Sequence, residues 1–325
     1  MFTTIYVSQS TLERNTVVVD ITYLCNAECR YCQWGDTTTP GRMNLELKDV
    51  LIPEYTLKVL GTKRVVLSGG EPRIHPHIQD ILKYYSKLVN EVIIITNGYE
   101  LDKKTITSLL KAGATGITIS LDSINPIESF MTRRTPPELH KKILNNLRYI
   151  SNMECKFELG INSTISSMTA NWFTVRELLE FGLEIHADFV KFQPIFDDGY
   201  VSKNSSELLL GADCVASLLY ISSHIHTLKR PPTNPAGFWR DVAVLAKGKM
   251  LSGAGCALNS HDAIITGGNM NVCYWVESSQ YSHPTRNDHI SYNEAISKFD
   301  RDKQHCNVGF HCFCNQGMGH TWKNY

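Results

Sequence analysis

Cys25, Cys29 and Cys32 lie within eight residues at the spacing Cys-x3-Cys-x2-Cys, just past the run Val17-Val18-Val19-Asp20-Ile21. Iron–sulfur clusters normally take four cysteine thiolates. Three at this spacing wrap a [4Fe–4S] cluster and leave one iron without a protein ligand, open for another molecule. Cysteine groups also bind zinc, but zinc motifs rarely crowd three cysteines together with no second pair nearby. Nor does a zinc site predict the Gly69-Gly70-Glu71-Pro72 segment that follows a second apolar run.

The elements that must hold these residues alternate along the chain. Val17–Thr22 reads as a strand delivering the cysteine loop. Leu45–Leu60 is apolar at helical spacing, with Pro53 kinking or restarting it. Arg64–Leu67 is a short buried strand, Ile78–Leu88 a helix, and Val92–Thr96 a β-branched strand stopped by Asn97-Gly98. Asp102 reads as the N-cap of a helix reaching Ala112 and closed by Gly113. Gly116–Leu121 and Lys156–Ile165 follow as strands with helix Glu138–Ile150 between them. Helix Trp172–Phe181, ended by Gly182, leads to strand Phe189–Ile195. Six β-then-α units demand parallel strands with right-handed crossovers. The fold class is α/β, with a doubly wound sheet as the alternative to a closed or partly closed barrel on pattern alone.

Composition bounds the function. The 325 residues hold 32 Lys+Arg against 32 Asp+Glu, so no global field draws in nucleic acid or an anionic membrane. A 42% hydrophobic content builds a sizeable core. The N-terminus lacks a signal-peptide pattern, and no stretch reads as a run of about 18 apolar residues. Ten cysteines without an export signal imply reduced thiols used for metal, hence a cytoplasmic metalloprotein.

The cysteine triplet, the aromatic Tyr31 before its third cysteine, and Gly69-Gly70-Glu71-Pro72 resemble the radical S-adenosylmethionine (SAM) family. The resemblance implies a partial (β/α)6 barrel over residues 15–200, after an N-terminal extension at 1–14. It also implies that Cys25, Cys29 and Cys32 hold the cluster whose open iron takes the amino and carboxylate groups of SAM. Sites in such barrels lie at the C-terminal ends of the strands. Gly69, Gly70, Glu71 and Pro72 are expected to meet the methionine amino group, the glycines letting backbone come close to the ligand. Ser120 and Asp122 resemble the family's polar contacts to SAM. Arg133 or Arg134 suits its carboxylate, Asn162 and Ser163 could face the ribose, and Gln193 and Ile195 the adenine. Asn97-Gly98 reads first as a turn.

A second cysteine-rich region follows a helical connector (201–249) that includes the helix Asp213–Leu228 and the break Arg230–Pro235. In 250–325, Cys256, Cys273, Cys306, Cys312 and Cys314 surround a hairpin read at Ala263–Thr266 and Met270–Trp275. The layout resembles the SPASM and twitch auxiliary-cluster domains. It implies a second [4Fe–4S] cluster held by four of the five thiols, with Cys314, a possible hydrogen donor, as the surplus one. A structural zinc site is the alternative. His305 and His311 read as loop residues, and Cys155 and Cys214 as small core residues.

The resemblance implies reductive cleavage of SAM to a 5′-deoxyadenosyl radical that takes a substrate hydrogen, with a ferredoxin- or flavodoxin-type electron donor. Peptide oxidation, cross-linking or epimerisation is the leading expectation. Dehydrogenation or epimerisation of a small natural-product precursor, such as an aminocyclitol or sugar, is the alternative. A non-catalytic zinc protein is a remote third.

Overall fold

The computed structural model describes residues 16–248 except 154–156, 196 and 198, together with the strand segments 262–266, 269–271 and 282–284. Six repeats build the main body. They run β1 (Thr16–Thr22), α1 (Leu47–Val50), α2 (Glu54–Val59), β2 (Arg64–Gly69), α3 (Ile78–Tyr85) and β3 (Glu91–Thr96). Then come α4 (Lys103–Lys111), β4 (Gly116–Ser120), α5 (Pro126–Arg133), α6 (Pro137–Ser151), β5 (Glu158–Ile165), α7 (Trp172–Glu184) and β6 (Phe189–Pro194). The strands lie side by side in sequence order, and each adjacent pair is parallel. This is the partial (β/α)6 barrel.

Strand alternation gives the sheet two faces. Val17, Val19, Ile21, Val65, Leu67, Ile94, Ile117 and Ile161 are all fully buried in the core formed with the surrounding helices. Each such side chain contributes about 1.5–3 kcal/mol relative to exposure. The other face lines the lumen, and its character changes along the strands. At the N-terminal ends, Arg64 donates to Glu91 (2.6 Å) and, through a two-pronged contact, to Glu158 (3.1 and 2.8 Å). This triad ties β2, β3 and β5 together at the N-terminal ends of the strands. Above it sit Val18, Val66 and Ile93, level with one another in register. The Phe189 ring fills the space that a side chain at Gly160 would take, 2.1 Å from its Cβ position. Near the C-terminal ends the same face carries Asp20, Ser68, Ser120, Asn162, Lys191 and Gln193. The upper lumen is polar.

Some boundaries match the sequence reading and others differ. Pro53 restarts the helix, giving α1 and α2. Asp102 caps α4 through the Thr105 N–H at 2.8 Å, as its side chain allows. Helix α7 runs through Gly182 to Glu184; a Cβ there would stand 2.6 Å from Val190 Cγ2, so this glycine serves close helix–strand packing, not termination. The helix α5, absent from the sequence reading, is capped by Asn125, whose side chain accepts from Ile127 N and Glu128 N.

Beyond β6 the chain forms α8 (Tyr200–Asn204), α9 (Val215–His224) and α10 (Ala236–Ala246). Ser206–Thr227 has a mean hydropathy of 1.5, an apolar stretch the sequence reading passed over. It is not one helix: 3-10 turns at Ser206–Leu208 and Ala212–Cys214 precede α9, and another follows at Ile225–Thr227. Leu218, Ile221 and Ile225 are fully buried in the core. The Pro-rich connector covers the free edge of β6, where Val190 N donates to Pro232 O and Asn234 brackets the backbone of Phe192. At the opposite edge, β7 (Asp262–Thr266) lies parallel to β1 and continues antiparallel into β8 (Asn269–Asn271) and β9 (Ser282–Pro284). The hairpin was legible; its addition to the barrel sheet was not.

Candidate active site

The cysteine loop leaves the C-terminal end of β1 and is held from three sides. Tyr23 N donates to Met43 O at 2.8 Å, and the Tyr23 ring stacks on Trp34 with centroids 4.5 Å apart. Arg42 Nη2 donates to Cys25 O at 3.0 Å. Arg30 N donates to Thr132 O at 2.9 Å, tying the loop to α5. Cys29 is buried, Cys25 and Cys32 half-buried, and the neighbouring thiols help to raise the pKa values of Cys25 and Cys29. Burial is the larger cause and pushes the Cys29 thiol up to about 12. Metal coordination must therefore displace protons from these thiols. Among the described residues no three His, Cys, Asp or Glu side chains converge on a point that a single ion would occupy. A cubane cluster takes each thiolate at a different iron, so the three need not converge. Cys25, Cys29 and Cys32 supply a donor set that a [4Fe–4S] cluster can take.

Gly69 and Gly70 make this loop possible. Gly70 N donates to Thr22 O at 2.7 Å and Glu71 N to Leu24 O at 2.8 Å. A Cβ on Gly70 would lie 2.0 Å from Leu24 O; on Gly69, at φ +121°, it would lie 2.1 Å from Thr22 O. The close approach these glycines permit is between β2 and the cysteine loop itself. Pro72 is buried at the start of the 3-10 turn Pro72–Ile74.

Glu71 is 1% exposed. Its carboxylate accepts from Thr96 Oγ1 (2.8 Å), Asn97 N (2.8 Å) and Arg73 N (3.2 Å). Burial still raises its pKa. The side chain thus clamps the end of β3 to the end of β2. Asn97 is the residue that sequence reasoning undervalued: its Nδ2 donates to Asn26 Oδ1 at 2.7 Å and lies 3.9 Å from Cys25 Sγ. Its place right after β3 was the available signal.

Behind the loop, Tyr31 OH donates to Asp122 Oδ2 at 2.6 Å, and Arg133 Nη1 donates to Tyr31 OH at 2.8 Å and contacts Asp122 Oδ1 at 3.4 Å. Thr164 N also donates to Asp122 Oδ1 at 2.9 Å. Asp122 is 1% exposed, and its carboxylate joins the loop, the β4 end, β5 and α5. Arg133 is buried at the same cluster. Arg134 instead takes a left-handed conformation (φ 52°) at the end of α5, is exposed, and lies 3.9 Å from Glu28. Tyr31→Phe should keep the three thiols but leave Arg133 and Asp122 short of a partner. It should lower stability by about 1–3 kcal/mol, read from denaturant melts of the reconstituted protein.

The remaining expected contacts separate by face. Ser120, Asn162 and Gln193 stand on the lumen side. Asn162 Oδ1 is buried with no hydrogen-bond partner among the described residues. Ser163 points the other way, 1% exposed, its Oγ 3.4 Å from Asp122 O. Ile195 lies just past β6, its N–H bonded to Ile165 O at 2.9 Å. Cys214 is buried in the core. Cys155, Cys256, Cys273, Cys306, Cys312 and Cys314 lie outside the described residues, as do His305 and His311.

The Radical SAM superfamily model matches residues 19–168. GTP 3',8-cyclase of Pseudomonas savastanoi pv. phaseolicola is 26% identical over 234 residues, covering 68% of this chain and 66% of that protein. Human Molybdenum cofactor biosynthesis protein 1 is 28% identical over 54% of this chain and 28% of its own length. The chain thus spans just under two thirds of the first relative and much less of the second. Among solved structures, Streptococcus suis SuiB bound to precursor peptide SuiA aligns over 89% of this chain and 67% of that one, with TM-score 0.65 and 17% identity. The enzyme anSMEcpe with bound AdoMet and Cp18Cys peptide covers 92% of this chain and 87% of its own, with TM-score 0.62 and 14% identity. At such identities the likeness is one of fold. The three-thiol loop at the open end of six parallel strands, with the family match across it, makes residues 19–168 a radical SAM domain.

Proposed function

We propose that this chain cleaves SAM reductively and takes a hydrogen atom from a polar substrate held in the barrel lumen, with a peptide as the leading substrate class. Cys25, Cys29 and Cys32 would hold a [4Fe–4S] cluster, which when bound would supply the one-electron reduction that SAM cleavage needs. The chain's own residues position and enclose. Gly70 and Glu71 seat the cysteine loop on β2, and Asn97 steadies it from β3. Ser120, Asn162 and Gln193 offer hydrogen bonds to SAM, and Arg133 offers charge close behind the loop. The Arg64 triad ties β2, β3 and β5 together at the opposite end of the lumen.

The observation that carries this reading is the polar upper lumen directly beneath a loop with three thiols. Peptide modification is favoured by the fold likeness to a protein solved with its precursor peptide. A small-molecule substrate is the second reading, favoured by the sequence relatives named for GTP cyclisation. A second, auxiliary cluster on the C-terminal cysteines, a ferredoxin- or flavodoxin-type donor and a cytoplasmic setting belong to the same proposal. Anaerobically reconstituted protein given SAM and dithionite should release 5′-deoxyadenosine. Deuterium in that product from a labelled substrate should identify the donor carbon. Intact SAM after prolonged reduction would overturn the proposal.

A further inference from the structure

Four acidic side chains of the barrel are fully provided for. Glu91 and Glu158 share Arg64, Glu71 takes three donors, and Asp122 takes donors from Tyr31, Arg133 and Thr164. Asp20 is not. It stands on β1 in register with Ser68 of β2, on the lumen face, and is 8% exposed. Ser68 is the one side chain close enough to ease its ionisation, and no Lys, Arg or His among the described residues forms an ion pair with it.

A buried carboxylate with one neutral donor costs stability, and the same fold supplies full partners wherever its acids are structural. Valine or serine would suit the position better for folding alone. The opposite wall repeats the pattern, since Asn162 Oδ1 is also a buried acceptor without a donor. Two acceptors short of donors therefore face one lumen. Burial raises the Asp20 pKa to about 7, so near neutrality an incoming cation would fix it in the ionised form.

We propose that Asp20, with Ser68 beside it, is the anchoring point for a protonated amine on the substrate. This rests on the reading that substrate enters the lumen from the cysteine-loop end. The amine can come from a polypeptide or from a small amino compound, and the chemistry at Asp20 is the same for both.

The test is thermal unfolding of the anaerobic, SAM-bound holoenzyme with matched probes at about 20 mM, a concentration at which a millimolar site is filled. Glucosamine is compared with glucose, and Gly-Lys-Gly with Gly-norleucine-Gly. At least one amine should raise Tm by about 2 °C over its neutral match, and Asp20→Asn should lose that difference. A shift with glucosamine alone assigns a small amino compound; a shift with the peptide assigns a polypeptide amine. Asp20→Ser provides a second variant should Asn fold poorly. The proposal is overturned if neither amine separates from its match, or if the variants respond like the parent. Loss of iron in both variants would also overturn it, by making Asp20 a support for the cysteine loop. Failure of the radical reading registers elsewhere, as absence of 5′-deoxyadenosine from the parent protein.

Discussion

Replacing Cys25, Cys29 and Cys32 together by Ala should abolish SAM cleavage and remove about four iron atoms per chain. If the C-terminal thiols hold a second cluster, the parent should carry about eight iron and the variant about four. If they do not, the variant should be iron-free. The thiols sit on a loop fixed to β2, β3 and α5, so their removal deletes the ligands without deleting the scaffold. Iron and sulfide assays, with electron paramagnetic resonance of the reduced protein, read the outcome. Stoichiometric zinc and no iron after anaerobic isolation of the parent would refute the cluster assignment.

Gly70→Val should be nearly as severe, for a reason that the sequence alone hides. From sequence, a side chain at this glycine would intrude on bound SAM and spare the cluster. In the structure the added Cβ would meet Leu24 O at 2.0 Å and Leu24 C at 2.6 Å, backbone atoms that cannot rotate away. Leu24 precedes Cys25, and Gly70 N and Glu71 N bond the residues leading into the loop. The substitution should therefore displace the cluster ligands, costing about half or more of the iron on reconstitution and dropping SAM cleavage at least about a hundredfold, which corresponds to about 2.7 kcal/mol. A variant that retains all its iron and loses only SAM affinity would restore the ligand-contact explanation.

These two positions show how far the residues could be read in advance. Cysteine spacing encodes a local ligand set, and β-branched runs such as Val92–Thr96 encode buried strands, so the triplet and the six-fold alternation were legible. Helix α5 was missed although Ile127, Phe130 and Met131 recur at helical spacing, because its polarity is inverted: that apolar face is exposed, and the buried face carries Ser129, Thr132 and Arg133. Once the helix is missed, Arg133 reads as a loop cation and not as the partner of Tyr31. Asn162 and Ser163 were taken together since sequence proximity suggests a common site; strand alternation separates them onto opposite faces. Glu71 and Asp122 were expected near SAM by motif. Their bonding partners lie up to 91 residues away in the chain, and only the folded barrel reveals that these carboxylates are structural clamps.

The parallel pairing of β1 with β7 bears on how the molecule comes into being. Val17 pairs with Ala263, a residue made long after it. Until then the strand that leads into the cysteines exposes one unpaired edge, a template for wrong pairing in a nascent chain. Closing so long a loop is slow relative to local helix formation. Assembly of the metal-binding loop is thus coupled in time to arrival of the C-terminal hairpin, and chaperone protection during synthesis matters most on that side of the sheet.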